Sequence, residues 1–532
     1  MVMKQKAINI LTVSILMGTL SACASFKTGV VLPEQAAALG PEQSVAQALD
    51  SALAENYDIW ERVRNGFTLD GYDHPGVESD IRWYSRHQQY LDRVAERAEN
   101  YLFFVMEEVD RRNMPSEIAL LPIVESAYHP FAYSHGRAAG IWQFIPSTAH
   151  RYGMKQDWWY DGRRDIYAST TGALNYLDDL QRRFNGDWLL ALAAYNSGEG
   201  TVRRAMRKSR QRGSGTDFWS IRRYLPKETR GYVPKLLAIA AVVADPESHG
   251  VNLLSIPDQP YITRVEIDSQ IDLALVSELA ELPLEEIYRL NPGFNRWATP
   301  PTGPHYLMLP LDNAAVFQTN LESVPEQERV RWKRYRVSSG DSLLAIADRH
   351  HTTVGELKKV NHIRGNTIQA GSHLIIPVAS QSYSSYQMTA DARRTRNQQR
   401  PRIGTKVVYT VRAGDTLWDL ASYHKVSVTK LAKWNSMAPR DPLVEGQQIV
   451  IWSKLEKTAV VDPRNFRIPI EGATTRRIRY SVRNGDSLAR ISQKFRVSIN
   501  QLLRWNNKLS TDGILRPGQR ITLYVDITRQ SG

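Results

Sequence analysis

Apolar residues recur at helical spacing between Tyr90 and Arg111: Leu91, Val94, Ala98, Leu102, Val105 and Val109. That period predicts a helix with one face in a core. Asn113-Met114-Pro115-Ser116 opens a second helix, since proline is tolerated in a first turn. Its apolar run, Ile118 to Val124, contains Pro122, which removes one backbone hydrogen bond and predicts a kink just before Glu125. The charged turn Asp161-Gly162-Arg163-Arg164-Asp165 then leads into a helix from Ala168 to Phe184. Asn185-Gly186-Asp187 is a stop followed by a new N-cap. The short apolar stretch Trp188 to Tyr195 runs into Tyr195-Asn196-Ser197-Gly198-Glu199-Gly200, turn residues that permit left-handed backbone and close approach. A basic helix, Val202 to Lys208, and an apolar one, Leu236 to Val243, complete a mostly helical domain over 55–250. Ile59, Trp60, Val63, Phe67, Trp83 and Tyr84 anchor its beginning.

After this the period changes. Segment 258–312 has strand-like ends, Tyr261 to Ile267 and Tyr306 to Leu309, around a helical middle. Three further stretches repeat one pattern. The first has Tyr335-Arg336-Val337 with Gly340-Asp341-Ser342-Leu343. The second has Tyr409-Thr410-Val411 with Gly414-Asp415-Thr416-Leu417, and the third Tyr480-Ser481-Val482 with Gly485-Asp486-Ser487-Leu488. At one offset from each Asp stands an asparagine: Asn361, Asn435 and Asn506. Each copy closes on a glycine and an apolar strand, Gly371 to Ile376, Gly446 to Ile451 and Gly518 to Leu523. The expected order is strand, helix, helix, strand. The Asp, Ser or Thr after the glycine can cap the first helix. Thr353 with Glu356, and Ser498 with Gln501, resemble capping boxes for the second. The copies span 333–378, 407–452 and 478–525. Segment 258–312 fits the same plan without Gly-Asp, as a worn fourth copy. The linkers 379–406 and 453–477 are polar and basic, and read as solvated spacers.

Composition bounds what these elements do. At 532 residues, length suggests about three or four domains. The 42% apolar content suffices for real cores. A net charge of +13 fits an anionic partner: nucleic acid, a membrane surface or an acidic polymer. Lys4 and Lys6 precede the uncharged stretch Ala7 to Ala22, which is shorter than the roughly 20 residues of a membrane span. Residues 1–22 therefore read as an export signal, and the small, polar stretch 23–54 as a tether. An export signal without a basic recognition helix argues against nucleic acid. The single cysteine, Cys23, excludes an intrachain disulfide framework and a cysteine-rich metal site. With no HExxH, no metal or other cofactor is expected.

Glu125 is the candidate for chemistry. It follows an apolar run, and burial raises the pKa of a carboxyl group, as a general acid near neutrality requires. Ser126 beside it brings a hydroxyl. Beyond Gly136-Arg137-Ala138-Ala139-Gly140, Trp142 and Phe144 can give a sugar a flat apolar wall, and Gln143 a donor and an acceptor.

Three signatures stand in order: Glu125-Ser126, Gly140-Ile141-Trp142-Gln143, and Ala194-Tyr195-Asn196 with Gly198 and Gly200. With the Glu228-Thr229-x-x-Tyr232-Val233 element they resemble the goose-lysozyme-like catalytic domain of lytic transglycosylases. The three copies resemble LysM modules, and Leu20-Ser21-Ala22-Cys23 resembles a bacterial lipobox. The whole layout is similar to the membrane-bound lytic murein transglycosylase D type. The resemblance implies a multidomain chain, with a mainly α lysozyme-like catalytic domain followed by small α+β (βααβ) LysM modules on linkers. The family usually has Met where Trp142 stands. The implied reaction is cleavage of the β-1,4 bond between N-acetylmuramic acid and N-acetylglucosamine, leaving a 1,6-anhydro end.

In that reading Glu125 is acid, then base. Ser126 would orient it, and Tyr195 would hydrogen-bond it or the substrate's acetamido group. Gln143, Trp142 and the backbone near Asn196 would position sugars, and Tyr232 is expected in the cleft wall. Glycan would lie in each LysM module beside the turn (Gly340 and Asp341, Gly414 and Asp415, Gly485 and Asp486) and the loop after the second helix (Asn361, Asn435, Asn506). Cys23 would be acylated and so anchored, and the family resemblance suggests the periplasmic face of a Gram-negative outer membrane. The implied partners are peptidoglycan strands and that membrane. A hydrolytic muramidase is the alternative, with Asp161, Asp165 or Glu199 as the second carboxylate it needs. A non-catalytic wall-binding scaffold is another.

Overall fold

The helix Trp188–Ser197 is apolar all round, so it is driven to the centre, with Leu190 to Ala194 buried. Asp187 caps it by accepting from the Leu190 N–H at 2.9 Å, a contact of about 1 kcal/mol. Against it pack Ile166–Arg183, capped by Asp165, and Lys227–Ala244, which carries Pro234 inside. Glu199–Arg210 follows at the turn where Gly198 adopts φ +84°. Helices Ile59–Asn65, Glu78–Ser85, Gln88–Ala98 and Leu102–Asp110 contribute the rest of one continuous core.

These features belong to a computed structural model that describes residues 58–412, 414–453, 475–482, 486–495, 497, 499–506, 515 and 518–526. Residues 1–57 with Cys23, most of the linker 453–477, Gly485 and Ser498 lie outside the described residues. Contacts divide the chain into two units, one of residues up to 400 with 432–441, the other of 401–431 and from 442 on.

Two expected helices are broken. The apolar face from Leu91 to Val109 is buried throughout, yet the helix stops at Ala98 and restarts at Leu102. Between them Tyr101 turns inward and donates its hydroxyl to the Arg289 carbonyl. Pro122 does not kink a long helix either. A 3-10 turn, Ser116–Leu120, gives way to a separate helix, Leu121–Ser126, and Pro122 sits in its first turn.

Among the described residues four two-stranded antiparallel sheets follow, one per module. In the first, Ile262–Glu266 pairs with Tyr306–Pro310 around the helices Leu273–Leu279 and Leu284–Leu290. The worn fourth copy thus has the βααβ plan, followed by a helix, Leu311–Glu322, that the sequence pattern did not predict. The copies pair Arg331–Arg336 with His373–Val378, Thr405–Thr410 with Gln448–Ser453, and Thr475–Ser481 with Arg520–Asp526.

The linker 379–406 is not a free spacer over 379–399. Tyr386 is fully buried in the core of the first of these modules, and Ala390–Gln399 is a helix. We refer to 379–399 as the strap.

Candidate active site

Glu125 ends its short helix where Ala127 and Tyr128 both adopt left-handed backbone, φ 52° and 54°. Such backbone is uncommon for non-glycine residues and needs external support. Tyr128 supplies it: the ring is fully buried and its hydroxyl donates to the Ala119 carbonyl at 2.7 Å. Ser126 donates to the Ile141 carbonyl at 3.0 Å and the Pro122 carbonyl at 3.2 Å. Its hydroxyl therefore ties the Glu125 helix to the Gly140–Phe144 loop and makes no bond to the carboxyl itself.

Gly140 explains how that loop comes so close. With φ +81°, it lies where an added Cβ would stand 1.9 Å from the Arg163 carbonyl oxygen. Trp142 corrects the expectation of a sugar wall. Its ring is fully buried and its indole N–H donates to Thr170 at 3.0 Å, so the core takes the face a sugar would need. Phe144 is buried too. Half-buried Gln143 donates from its amide to the Gly140 carbonyl at 2.8 Å.

The donor to Glu125 is Tyr232, whose hydroxyl makes a short hydrogen bond to Oε1. Tyr195 was the expected partner, but its hydroxyl donates instead to the Trp142 carbonyl at 2.9 Å. It lies near enough that burial and then the Glu125 charge hold its pKa well above the ordinary value. Asn196 accepts from the Thr229 hydroxyl through Oδ1 at 2.7 Å. Thr229 and Tyr232 lie one turn apart on Lys227–Ala244, so one helix face serves both contacts. In the sequence, the three-residue spacing of Thr229 and Tyr232 is the signal for these paired contacts.

Glu125 is half-buried and surrounded by protein. Burial pushes its pKa up to about 8 against the lowering by the Tyr232 hydrogen bond, with a further upward push from the Glu228 carboxylate. The three carboxylates considered as a second catalytic group are engaged elsewhere. Asp161 is buried, which alone would raise its pKa, but the bidentate Arg163 bonds and the Arg164 charge hold it below its ordinary value. Asp165 is spent on its helix N-terminus and on the Tyr306 hydroxyl at 3.0 Å. Glu199 is paired with Arg203 and Arg183, which hold its pKa down. Among the described residues no group of three or more His, Cys, Asp or Glu is arranged to hold a metal ion. A cavity of about 930 Å³ lies apart from Glu125, lined by Glu96, Tyr101, Phe131, Tyr261, Glu286 and Leu311 among others.

The modules place their repeated residues in structural roles. Asp341 accepts from Tyr335 Oη at 2.7 Å and the Ser338 N–H at 2.8 Å; Asp415 does the same with Tyr409 and the Arg412 N–H. Asp486 accepts from Tyr480 Oη at 2.7 Å. Asn361 donates to the Leu357 and Ile375 carbonyls and accepts from the Ile375 N–H, clamping helix to strand. Asn506 repeats this with Leu502 and Thr522, and Asn435 is fully buried. These bonds give Asp341, Asp415, Asp486, Asn361 and Asn506 structural work within each copy. Gly340 and Gly414 provide the left-handed turn, at φ 87° and 88°. Ser342 and Thr416, not the Asp, cap the following helices.

Comparison with known proteins bears on this arrangement. The transglycosylase SLT domain family matches residues 103–218, which include Glu125, Gln143 and Tyr195 but stop short of Tyr232. The chain is 36% identical over 396 residues to membrane-bound lytic murein transglycosylase D of Escherichia coli, covering 73% of this chain and 84% of that protein. The chain belongs to the membrane-bound lytic murein transglycosylase D family. It is accordingly a peptidoglycan lytic transglycosylase. The family's own LysM-like domain, described as that of lytic transglycosylase MltD, matches 261–326, and the LysM domain matches 335–377, 409–452 and 480–523. A putative tributyltin chloride resistance protein of an Alteromonas species is 45% identical over 124 residues, 23% of this chain and 60% of that one. Among solved structures, an inactive variant of the lytic transglycosylase Slt from Pseudomonas aeruginosa matches at 24% identity and a TM-score of 0.23, covering 28% of this chain and 25% of that one.

Proposed function

We propose that Glu125 cleaves the β-1,4 bond between N-acetylmuramic acid and N-acetylglucosamine, acting as acid and then as base. The observation that carries this is a single desolvated carboxyl group with a pKa of about 8 and one tyrosine donor. At neutral pH it holds its proton. Tyr232 donates to Oε1, so the acidic proton belongs on Oε2. It passes to the glycosidic oxygen as the bond to C1 breaks. The substrate's own 6-hydroxyl attacks C1 and gives its proton to the Glu125 carboxylate, closing the 1,6-anhydro ring and regenerating the acid. Tyr232 stabilises the carboxylate in between, a charge-assisted hydrogen bond. An internal nucleophile has a large effective concentration, so no water need be activated.

Asn196 has its amide oxygen taken by Thr229, which leaves its NH₂ group for a sugar carbonyl. Gln143 contributes to the same wall. Ser126 and Tyr195 act as props for the loop that carries it, and Trp142 acts from the core. The hydrolytic alternative needs a second free carboxylate, and the ties on Asp161, Asp165 and Glu199 count against it.

The three LysM copies hold glycan strands, several weak sites on one chain raising the local substrate concentration. The lipobox-like Leu20-Ser21-Ala22-Cys23 supports acylation at Cys23 and tethering to the periplasmic face of the outer membrane. Mass spectrometry of digested peptidoglycan tests the reaction. Anhydro ends that vanish with Glu125→Gln are expected; reducing ends would establish the hydrolase instead.

A further inference from the structure

The 261–326 module and the first LysM copy are the same device with opposite surroundings. Asn291 donates to the Ile287 and Met308 carbonyls and accepts from the Met308 N–H, the clamp that Asn361 makes in the copy. Asp272 caps the first helix as Ser342 does, at the same offset from its asparagine. The loops that follow the first strand and the second helix therefore correspond. In the copy they are open: Ser338, Ser339, Gly340 and 364–367 are exposed. In the module they are largely shut: Ser269, Ile271 and Asp272 of the first loop and 291–295 and 297–300 of the second are buried, while Asp268 is exposed.

Two segments of the same chain shut them. The first is 156–165 of the catalytic domain. Its Asp161 N–H donates to the Gly293 carbonyl at 2.8 Å, and its Trp159 carbonyl accepts from the Asn295 N–H at 2.7 Å. Tyr160 lies so close to Gly293 that an added Cβ would stand 2.6 Å from its ring. The second is the strap. Asp272 accepts from the Ser380 N–H at 2.8 Å and from Tyr386 Oη at 2.8 and 3.0 Å. The Ala390 N–H donates to the Asn295 carbonyl at 2.9 Å, and Asp391 pairs with Arg296. Arg393, further along the strap, lies 4.3 Å from the Phe131 ring centroid.

We propose that this module has exchanged glycan recognition for self-recognition: its loop face is the dock for residues 156–165 and the strap, and it takes no glycan. The inference rests on the reading that the LysM copies bind glycan, the first of them through the loops it leaves open. The dock also has a line to the active site. Tyr306 bonds Asp165, Asp165 starts the helix Ile166–Arg183, Thr170 on that helix holds the Trp142 indole, and the Trp142 carbonyl holds Tyr195.

Hydrogen exchange followed by mass spectrometry on the mature full chain tests this, with an N-acetylglucosamine tetramer as the probe. Without probe, amides at 271–274 and 291–300 should exchange at least about 100-fold more slowly than those at 338–342 and 362–372. Saturating tetramer should protect the copy's loops alone. Tyr386→Ala should speed exchange at 271–274 and 291–300 by about tenfold or more and leave the copy's loops unchanged, with Tyr386→Phe, which keeps the ring, intermediate. Module loops that exchange as fast as the copy's, or that gain protection from the tetramer, overturn the proposal. If the tetramer protects no loop anywhere, the glycan reading of the copies fails, and the two Tyr386 variants still decide whether the dock exists.

Discussion

Glu117 and Glu125 stand on consecutive short helices and meet opposite surroundings. Glu117 is fully buried, and its Oε1 accepts from the Thr68 N–H at 2.9 Å, the Leu69 N–H at 2.7 Å and the Tyr72 hydroxyl. It pins the chain between the first two helices. Glu125 has the Tyr232 hydroxyl as its donor, with the Glu228 charge nearby. Each donor that reaches a carboxylate favours its charged form, while burial disfavours it. At Glu125 burial prevails, and the group keeps a proton at neutral pH. The difference lies in what each oxygen meets: Glu117 spends one on holding a loop, and Glu125 meets a single donor beside another carboxylate.

The sharpest way to break this comparison is to mutate both. Glu125→Gln should lower the rate of glycan cleavage by about 10³-fold while the fold survives. Glu117→Ala leaves two backbone N–H groups and a hydroxyl unpaired, and should cost about 2–4 kcal/mol in urea denaturation with little change in kcat for the folded fraction. If the two phenotypes came out exchanged, the assignment of roles would be wrong.

A smaller effect concerns pH. Unfolded, Glu125 releases its proton near the ordinary 4.5; folded, it holds it to about 8. Between these values the native state binds the extra proton, so this group's contribution to stability is lost as pH rises through that window. Glutamine has no proton to lose. Glu125→Gln should gain about 1–3 kcal/mol on wild type at pH of about 8.5 and almost nothing near pH 5. A difference that did not vary with pH would show a solvated carboxyl group.

The smallest expected effect is at Tyr232. Its hydrogen bond lowers the Glu125 pKa, so removing it lets that pKa rise further. Tyr232→Phe should move the falling limb of kcat/KM to higher pH and reduce the rate about tenfold, since the carboxylate left after proton transfer loses its donor. A limb that stayed in place would make Tyr232 a wall residue only.

The helical domain was legible because its apolar faces are long and periodic, and the repeats because their spacing recurs. The break at Tyr101 was not, because that ring is drawn off its helix by Arg289, a residue far along the chain. The strap was missed because its average composition is polar, while its attachment depends on Tyr386 and the partners of Asp272. Recurrence marked structural need. Asp341 and Asn361 repeat because every copy must close the same turn and clamp the same strand, and that need is independent of any sugar. At the site, Glu125 could be picked out by its apolar context. Trp142 could not be assigned from sequence, because an aromatic ring beside a cleft and one beneath it have the same signature until Thr170 is seen to hold the indole.

The meeting of Gly140 with the Arg163 carbonyl is a contact of main chain with main chain. Such a spacing is carried as a length, indifferent to which side chains drift around it. The lining of the cleft can be renewed piece by piece while this distance stays put. A single methyl group at position 140, arriving 1.9 Å from that oxygen, would do what those replacements do not: prise the Gln143 loop away from the start of the neighbouring helix.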